Sequence, residues 1–97
     1  MSLEIIVWSS NANLDLINIY NYISKNSVFY ARKTINNIII KTEHLSLFPY
    51  MGRVSLQYSQ ENYRELIYKS YIILYKIESN KIHIISVLHS ARKRDNF

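Results

Sequence analysis

The chain has 97 residues and no cysteine, which excludes disulfide frameworks, thiolate zinc centres and cysteine nucleophiles. A single glycine excludes the glycine-rich phosphate loops of P-loop and dinucleotide-binding folds. The formal net charge of +5, from 12 Lys and Arg against 7 Asp and Glu, favours an anionic partner, although such a charge also serves solubility alone.

Residues 3–8 (LEIIVW) are apolar and β-branched, and the expectation is a strand. Ser9-Ser10-Asn11 suits a helix N-cap, with Asp15 placed in the first turn against the helix dipole. Leu16, Ile19, Tyr20 and Ile23 then form one apolar stripe. Ser27 caps a second helix, on which Ala31, Ile35, Ile38, Thr42 and Leu45 share a face. That pattern runs to about Leu47 and stops before Pro49. Joined only by Lys25-Asn26-Ser27, the two helices form a hairpin over residues 11–47. Residues 48–62 hold the only Pro and the only Gly, show no sustained period and read as a loop. Three strands follow in an antiparallel meander over 63–89, with two-residue turns at Lys69-Ser70 and Ser79-Asn80. Asn80 suits the positive φ of a hairpin turn. A basic tail, 90–97, closes the chain.

The expected fold is α+β, a single βααβββ domain spanning 1–97 with the helical hairpin packed on one face of an antiparallel sheet. The other face poses a question. In the last strand Ile85 and Val87 point away from Ile82, Ile84 and Leu88, so both faces are partly apolar. A sheet with one wet face alternates more cleanly than this. Either the loop and tail cover the second face, or a partner does.

The apolar runs 38–40 and 72–75 are far too short to cross a bilayer, and Met1-Ser2-Leu3-Glu4 lacks the basic start of a signal peptide. A cytoplasmic protein without membrane association is expected. His44 and His83 show no ligand spacing, so neither a metal nor a cofactor is assigned.

Several landmarks recur in a fixed order. They are Trp8-Ser9, Ala12, Asp15-Leu16, Ile19 and Tyr22-Ile23; then Ala31, Leu45, Pro49 and Gly52-Arg53; then Arg64-Glu65-Leu66, Tyr71 and Tyr75; and last Val87-Leu88-His89-Ser90-Ala91-Arg92. Together they resemble the RelE/ParE superfamily of toxins from type II toxin–antitoxin systems. The resemblance spans nearly the whole chain and implies the same βααβββ fold. It also implies a cognate antitoxin that wraps the toxin, with Ile85 and Val87 as its contacts on the second face, and an oligomeric state set by that complex. RelE-like members cut messenger RNA in the ribosomal A site; ParE-like members block DNA gyrase and are not nucleases. The segment 88–92 and the strand start Arg64-Glu65-Leu66 are similar to the ParE type.

Metal-free RNA cleavage needs a base for the 2′-hydroxyl, cations for the phosphorane and an acid for the leaving oxygen. For that reaction the resemblance offers Arg64, His89 and Arg92. Arg53, Arg64, His89, Arg92, Lys93 and Arg94 are the candidate contacts to a target, whether gyrase or a ribosome with its mRNA. Most have a plainer reading: Arg53 holds the loop through backbone carbonyls, Arg64 pairs with a sheet neighbour, His89 packs at a strand end, and Lys93 and Arg94 belong to a solvated tail. RelE-like nucleases commonly carry a lysine cluster or a Tyr or His close to the C-terminus; no Tyr or His follows His89, and 48–62 holds no Lys. The chain therefore reads first as a ParE-like gyrase inhibitor. The alternatives are a RelE-like endoribonuclease and an inactive toxin that only co-represses its operon.

Overall fold

The computed structural model describes residues 3–90. Its elements run β1 (Ile5–Trp8), α1 (Ser10–Ser24), α2 (Val28–Glu43), a 3-10 turn (His44–Ser46), β2 (Arg53–Val54), β3 (Tyr63–Tyr68), β4 (Tyr71–Glu78) and β5 (Lys81–His89). The sheet order is β1-β5-β4-β3-β2, with β1 parallel to β5 and every other pair antiparallel.

Local chemistry sets the helix limits. Ser9 caps α1 by accepting from the Ala12 N–H at 2.9 Å, and its hydroxyl donates to the Ile85 carbonyl at 3.0 Å. One serine thus starts the helix and fastens it to β5. Ser27 caps α2 by accepting from the Tyr30 N–H. The α-helix ends at Glu43, earlier than its apolar period, and the 3-10 turn carries Leu45 into the core. Ser46 then donates to the Glu4 carbonyl, which fixes the entry to β1.

Residues 48–62 are not all loop: Arg53–Val54 pairs with Arg64 and Glu65, a strand too short for any period to reveal. Asp15 lies beyond the first turn of α1, and its carboxylate accepts from the Val87 N–H at 2.9 Å instead of serving the helix dipole. Positive φ falls on Lys69 and Ser79, not on Asn80.

The largest correction concerns the sheet faces. Leu74 pairs with Ser86 but Tyr75 pairs with Ile84, so Ile85 is an extra residue, a β-bulge. Beyond the bulge the alternation of β5 is inverted. Val87 therefore joins Ile82 and Ile84 under the helices, 2% exposed, and is not on the second face. The core lies between this face and the hairpin, built from Ile73, Tyr75, Ile77 and Leu66 on the sheet with Ala12 and Ile38 above them. On the second face Ile72 and Leu74 are already buried. Its exposed apolar side chains, Ile5, Val7 and Ile67, belong to the flanking strands β1 and β3.

Candidate functional site

Two groups of polar side chains stand at opposite ends of the sheet. The first holds the loop before β2. Tyr75, fully buried in β4, donates its hydroxyl to the Pro49 carbonyl at 2.7 Å and accepts from the Gly52 N–H at 2.9 Å. Burial pushes its pKa above the usual tyrosine value, against the opposing pull of the Gly52 N–H and the nearby Arg64 charge. Arg64 projects beside it. Its Nε donates to the Glu61 carbonyl, its Nη1 to the Gly52 carbonyl at 2.9 Å and, more weakly, to the Tyr50 carbonyl, and its Nη2 meets the Glu61 carboxylate at 2.8 Å. The guanidinium also lies over the Tyr50 ring. It is spent on the loop: its donors are taken by three carbonyls and one carboxylate.

Arg53 of β2 lies across from Glu65 of β3, on the sheet face opposite to Arg64. Its Nε and Nη2 both approach one oxygen of the buried Glu65 carboxylate at 3.1 Å, and Ser55 donates to the other. Ser55 in turn accepts from the Gln57 and Tyr58 N–H groups. The carbonyl-binding role expected of Arg53 thus belongs to Arg64, and Arg53 neutralises a buried carboxylate. With its backbone held from both sides, the loop presents Phe48, Tyr50 and Met51 to solvent.

The second group lines a cleft of about 300 Å³ between α1 and the ends of β4 and β5. Asp15, Asn18, Ile19 and Tyr22 come from α1, Tyr71 from β4, and Val87, Leu88 and His89 from β5. His89 packs edge-on against Tyr71, with ring centroids 5.4 Å apart. The sequence marks His89 as a candidate but does not place Asp15, Tyr22 or Tyr71 beside it. Contacts between α1 and β5 span more than seventy residues, and no local pattern signals them.

The two groups are far apart. Arg64 pairs with Tyr75 and His89 with Tyr71, four positions along β4 and on opposite flanks of it. At about 3.3 Å per residue and 4.8 Å per strand, their backbones are separated by about 16 Å. Arg64, engaged by loop carbonyls and Glu61, and His89, in the cleft, therefore belong to separate groups, with the core side chains of Tyr75 and Ile73 on the face between them. Arg92, Lys93 and Arg94 lie outside the described residues. Ile85, at the bulge, is half-buried, and its carbonyl is engaged by Ser9. Among the described residues no group of three His, Asp or Glu is placed to hold a metal ion, and no helix is long and apolar enough to cross a membrane.

Comparison with known proteins agrees with this architecture. Residues 6–94 match the family described as ParE toxin of type II toxin-antitoxin system, parDE. The chain is 28% identical over 88 residues to Toxin RelE2 of Caulobacter vibrioides, covering 90% of this chain and 96% of that protein. Its fold is similar to a chain of the chromosomal ParDE toxin–antitoxin system from P. aeruginosa, with a TM-score of 0.74 at 18% identity, covering 90% of this chain and 96% of that one. It is also similar to a chain of the RelBE2 toxin–antitoxin complex from Mycobacterium tuberculosis, with a TM-score of 0.59 at 19% identity over 90% of this chain and 98% of that one.

Proposed function

The chain belongs to the ParE toxin family of type II toxin–antitoxin systems, and from that premise we propose that it inhibits DNA gyrase in the cytoplasm and is restrained by a cognate antitoxin. The observation that carries the choice of target is the separation of Arg64 from His89. Metal-free RNA cleavage needs its cation and its acid or base within hydrogen-bonding reach of the same phosphodiester. Here Arg64 is bound to loop carbonyls and Glu61, while His89 sits in the cleft at the other end of β4. A protein that acts by occupying a target needs no such convergence. It needs presented side chains, and the loop presents Phe48, Tyr50 and Met51 on a backbone fixed by Tyr75 and Arg64. Anchors held in place before binding lose little conformational freedom on docking.

The antitoxin is proposed to cover other exposed apolar side chains, among them Leu14 and Ile17 of α1. The oligomeric state would then follow from the complex with it.

A second reading is the ribosome-dependent mRNA cleavage that the sequence resemblance implies for RelE-like members; it is kept by the similarity to Toxin RelE2 of Caulobacter vibrioides, and His89 is its candidate acid or base among the described residues. One experiment separates the two. The toxin is induced without antitoxin, and plasmid supercoiling and mRNA integrity are followed in parallel. Gyrase inhibition gives relaxed plasmid and intact mRNA. Cleavage at the ribosomal A site that disappears with His89→Ala, on supercoiled plasmid, overturns the proposal. Harmless induction would identify an inactive toxin that serves only with its antitoxin at the operon.

A further inference from the structure

The tip of the helical hairpin and the β3–β4 turn form a surface that the proposed gyrase contacts do not use. From Leu16 to Thr42 the chain has no acidic residue, but it carries Lys25, Arg32, Lys33 and Lys41. From Leu66 to Ile77 there is again no acid, and Lys69 and Lys76 are present. The ion pairs found among the described residues, at 53–65, 61–64, 76–78 and 78–83, involve none of Lys25, Lys33 and Lys69.

The same tip exposes aromatic rings. Phe29 is 76% and Tyr22 64% exposed, and Tyr30 is about half exposed. Lysines stand over these rings: Lys25 lies 5.9 Å from the Tyr22 centroid, and Lys69 lies 6.0 Å from that of Tyr30 and 5.7 Å from that of Tyr68. Phe29 and Lys33 are one helical turn apart on α2 and share a face. The cleft described above continues this surface, since Tyr22 lines it together with Tyr71 and His89. The Ser90 N–H bonds to the Ser70 carbonyl and ties the end of β5 to the Lys69–Ser70 turn. Asp15, the one acid in the cleft, is turned to the Val87 N–H.

Several large rings exposed together mark an interaction surface, which singly scattered ones do not. A lipid-like or helical apolar partner wants a continuous greasy groove, but here Tyr22 and Tyr30 each lie beside an ammonium group, and Phe29 shares a helix face with Lys33. Alternating π-faces and cations of one sign match a polyanion that carries flat, stackable units. We propose that this pole of the molecule binds single-stranded nucleic acid, with Tyr22, Phe29 and Tyr30 as stacking platforms and Lys25, Lys33 and Lys69 as phosphate contacts. The site is independent of the Arg64 loop, so it stands or falls apart from the gyrase reading.

The test uses the full chain and a fluorescein-labelled oligothymidylate of about 12 nucleotides. Fluorescence anisotropy should report binding that weakens with salt. Tyr22→Ala with Phe29→Ala should weaken it by about tenfold or more, and Lys25→Gln with Lys69→Gln should lower the salt slope by about 1.4. Ile40→Ala, also exposed on α2 but near its other end, should change nothing. Because these side chains are exposed, circular dichroism melts should show all variants folded. Absence of binding at low salt overturns the proposal. So does affinity unaffected by the aromatic substitutions, or equal affinity for duplex. Displacement by polyglutamate as effectively as by unlabelled oligothymidylate would assign the surface to an acidic protein segment instead.

Discussion

Tyr75 and Gly52 are fitted so closely that neither position has room to change. The Gly52 N–H donates to the Tyr75 hydroxyl at 2.9 Å, and a Cβ placed on Gly52 would lie 2.7 Å from that oxygen and 2.6 Å from the Glu65 carbonyl oxygen. The glycine is required by close approach, not by an unusual φ. Gly52→Ala must push the loop off β3 or displace the phenol. A loss of about 1–3 kcal/mol is expected from such overpacking. For a domain of this size that corresponds to a fall in Tm of several degrees at least, at about 4–8 °C per kcal/mol. Calorimetry checks it, and an unchanged Tm would mean that the loop is free to move.

Tyr75→Phe removes the oxygen without changing the ring. The Gly52 N–H and the Pro49 carbonyl then lose their partner in a buried position, a cost of about 1–3 kcal/mol. The substitution also alters the alkaline limb of stability. Since the pKa of Tyr75 is raised in the folded state, folding is weakened by deprotonation of the unfolded chain. That contribution is fully present below the unfolded tyrosine value of about 10 and is lost as pH rises through the folded value. Lys76, whose pKa is raised by its hydrogen bond to Tyr63 and then by Glu78, acts in the same direction and is present in both proteins. Urea titrations above pH 10 should show a shallower decline for Tyr75→Phe than for the parent. Parallel declines would remove Tyr75 from this role.

Much of the fold was legible because periodicity and turn chemistry are local. The hairpin of α1 and α2, the three C-terminal strands and both serine caps follow from stripes, alternation and cap residues over a few positions. What escaped was set by register. One extra residue at Ile85 moved Val87 from the second face into the core, and nothing in KIHIISVLH marks which residue is extra. The same holds for the site. Arg53, Arg64 and His89 are each recognisable as polar groups worth attention, but their grouping depends on which strand rows they occupy. The two arginines are adjacent in the sheet yet serve opposite faces, and His89 stands at its other end.

Two polar side chains, Asp15 and Ser9, make the shorter bonds of the α1–β5 seam, and Asn11 adds a weaker one to the Ile85 carbonyl at 3.4 Å. Asp15 accepts from the Val87 N–H just beyond the bulge, and Ser9 both caps α1 and donates to the Ile85 carbonyl at the bulge. Asp15→Ala should cost about 1.5–3 kcal/mol, because the lost bond is charge-assisted and leaves a backbone donor without its partner. Asp15→Asn, which keeps an acceptor oxygen, should recover most of that. Ser9→Ala should cost about 0.5–2 kcal/mol as a lost cap. Chemical denaturation gives the magnitudes. Amide exchange at Val87 gives the location: it should accelerate selectively in Asp15→Ala, whereas uniform acceleration would place the bond outside the seam.

The separation of Arg64 and His89 has a thermodynamic signature that does not depend on any assay of toxicity. Arg64→Ala frees the Gly52 and Tyr50 carbonyls and the Glu61 carboxylate, and stability should fall by about 1–3 kcal/mol. His89→Ala removes an edge-to-face contact with Tyr71, worth about 0.5–1.5 kcal/mol. Residues farther apart than about 10 Å with no shared partner add to within about 0.5 kcal/mol. The double variant should therefore be destabilised by the sum of the two, measured by urea unfolding. In cells, growth inhibition lost through Arg64→Ala should return when the temperature is lowered, because the loop that Arg64 holds re-forms as the fold regains stability. Coupling above about 1 kcal/mol between the two positions would indicate a shared site, and toxicity that no lowering of temperature restores would return Arg64 to direct contact with the target.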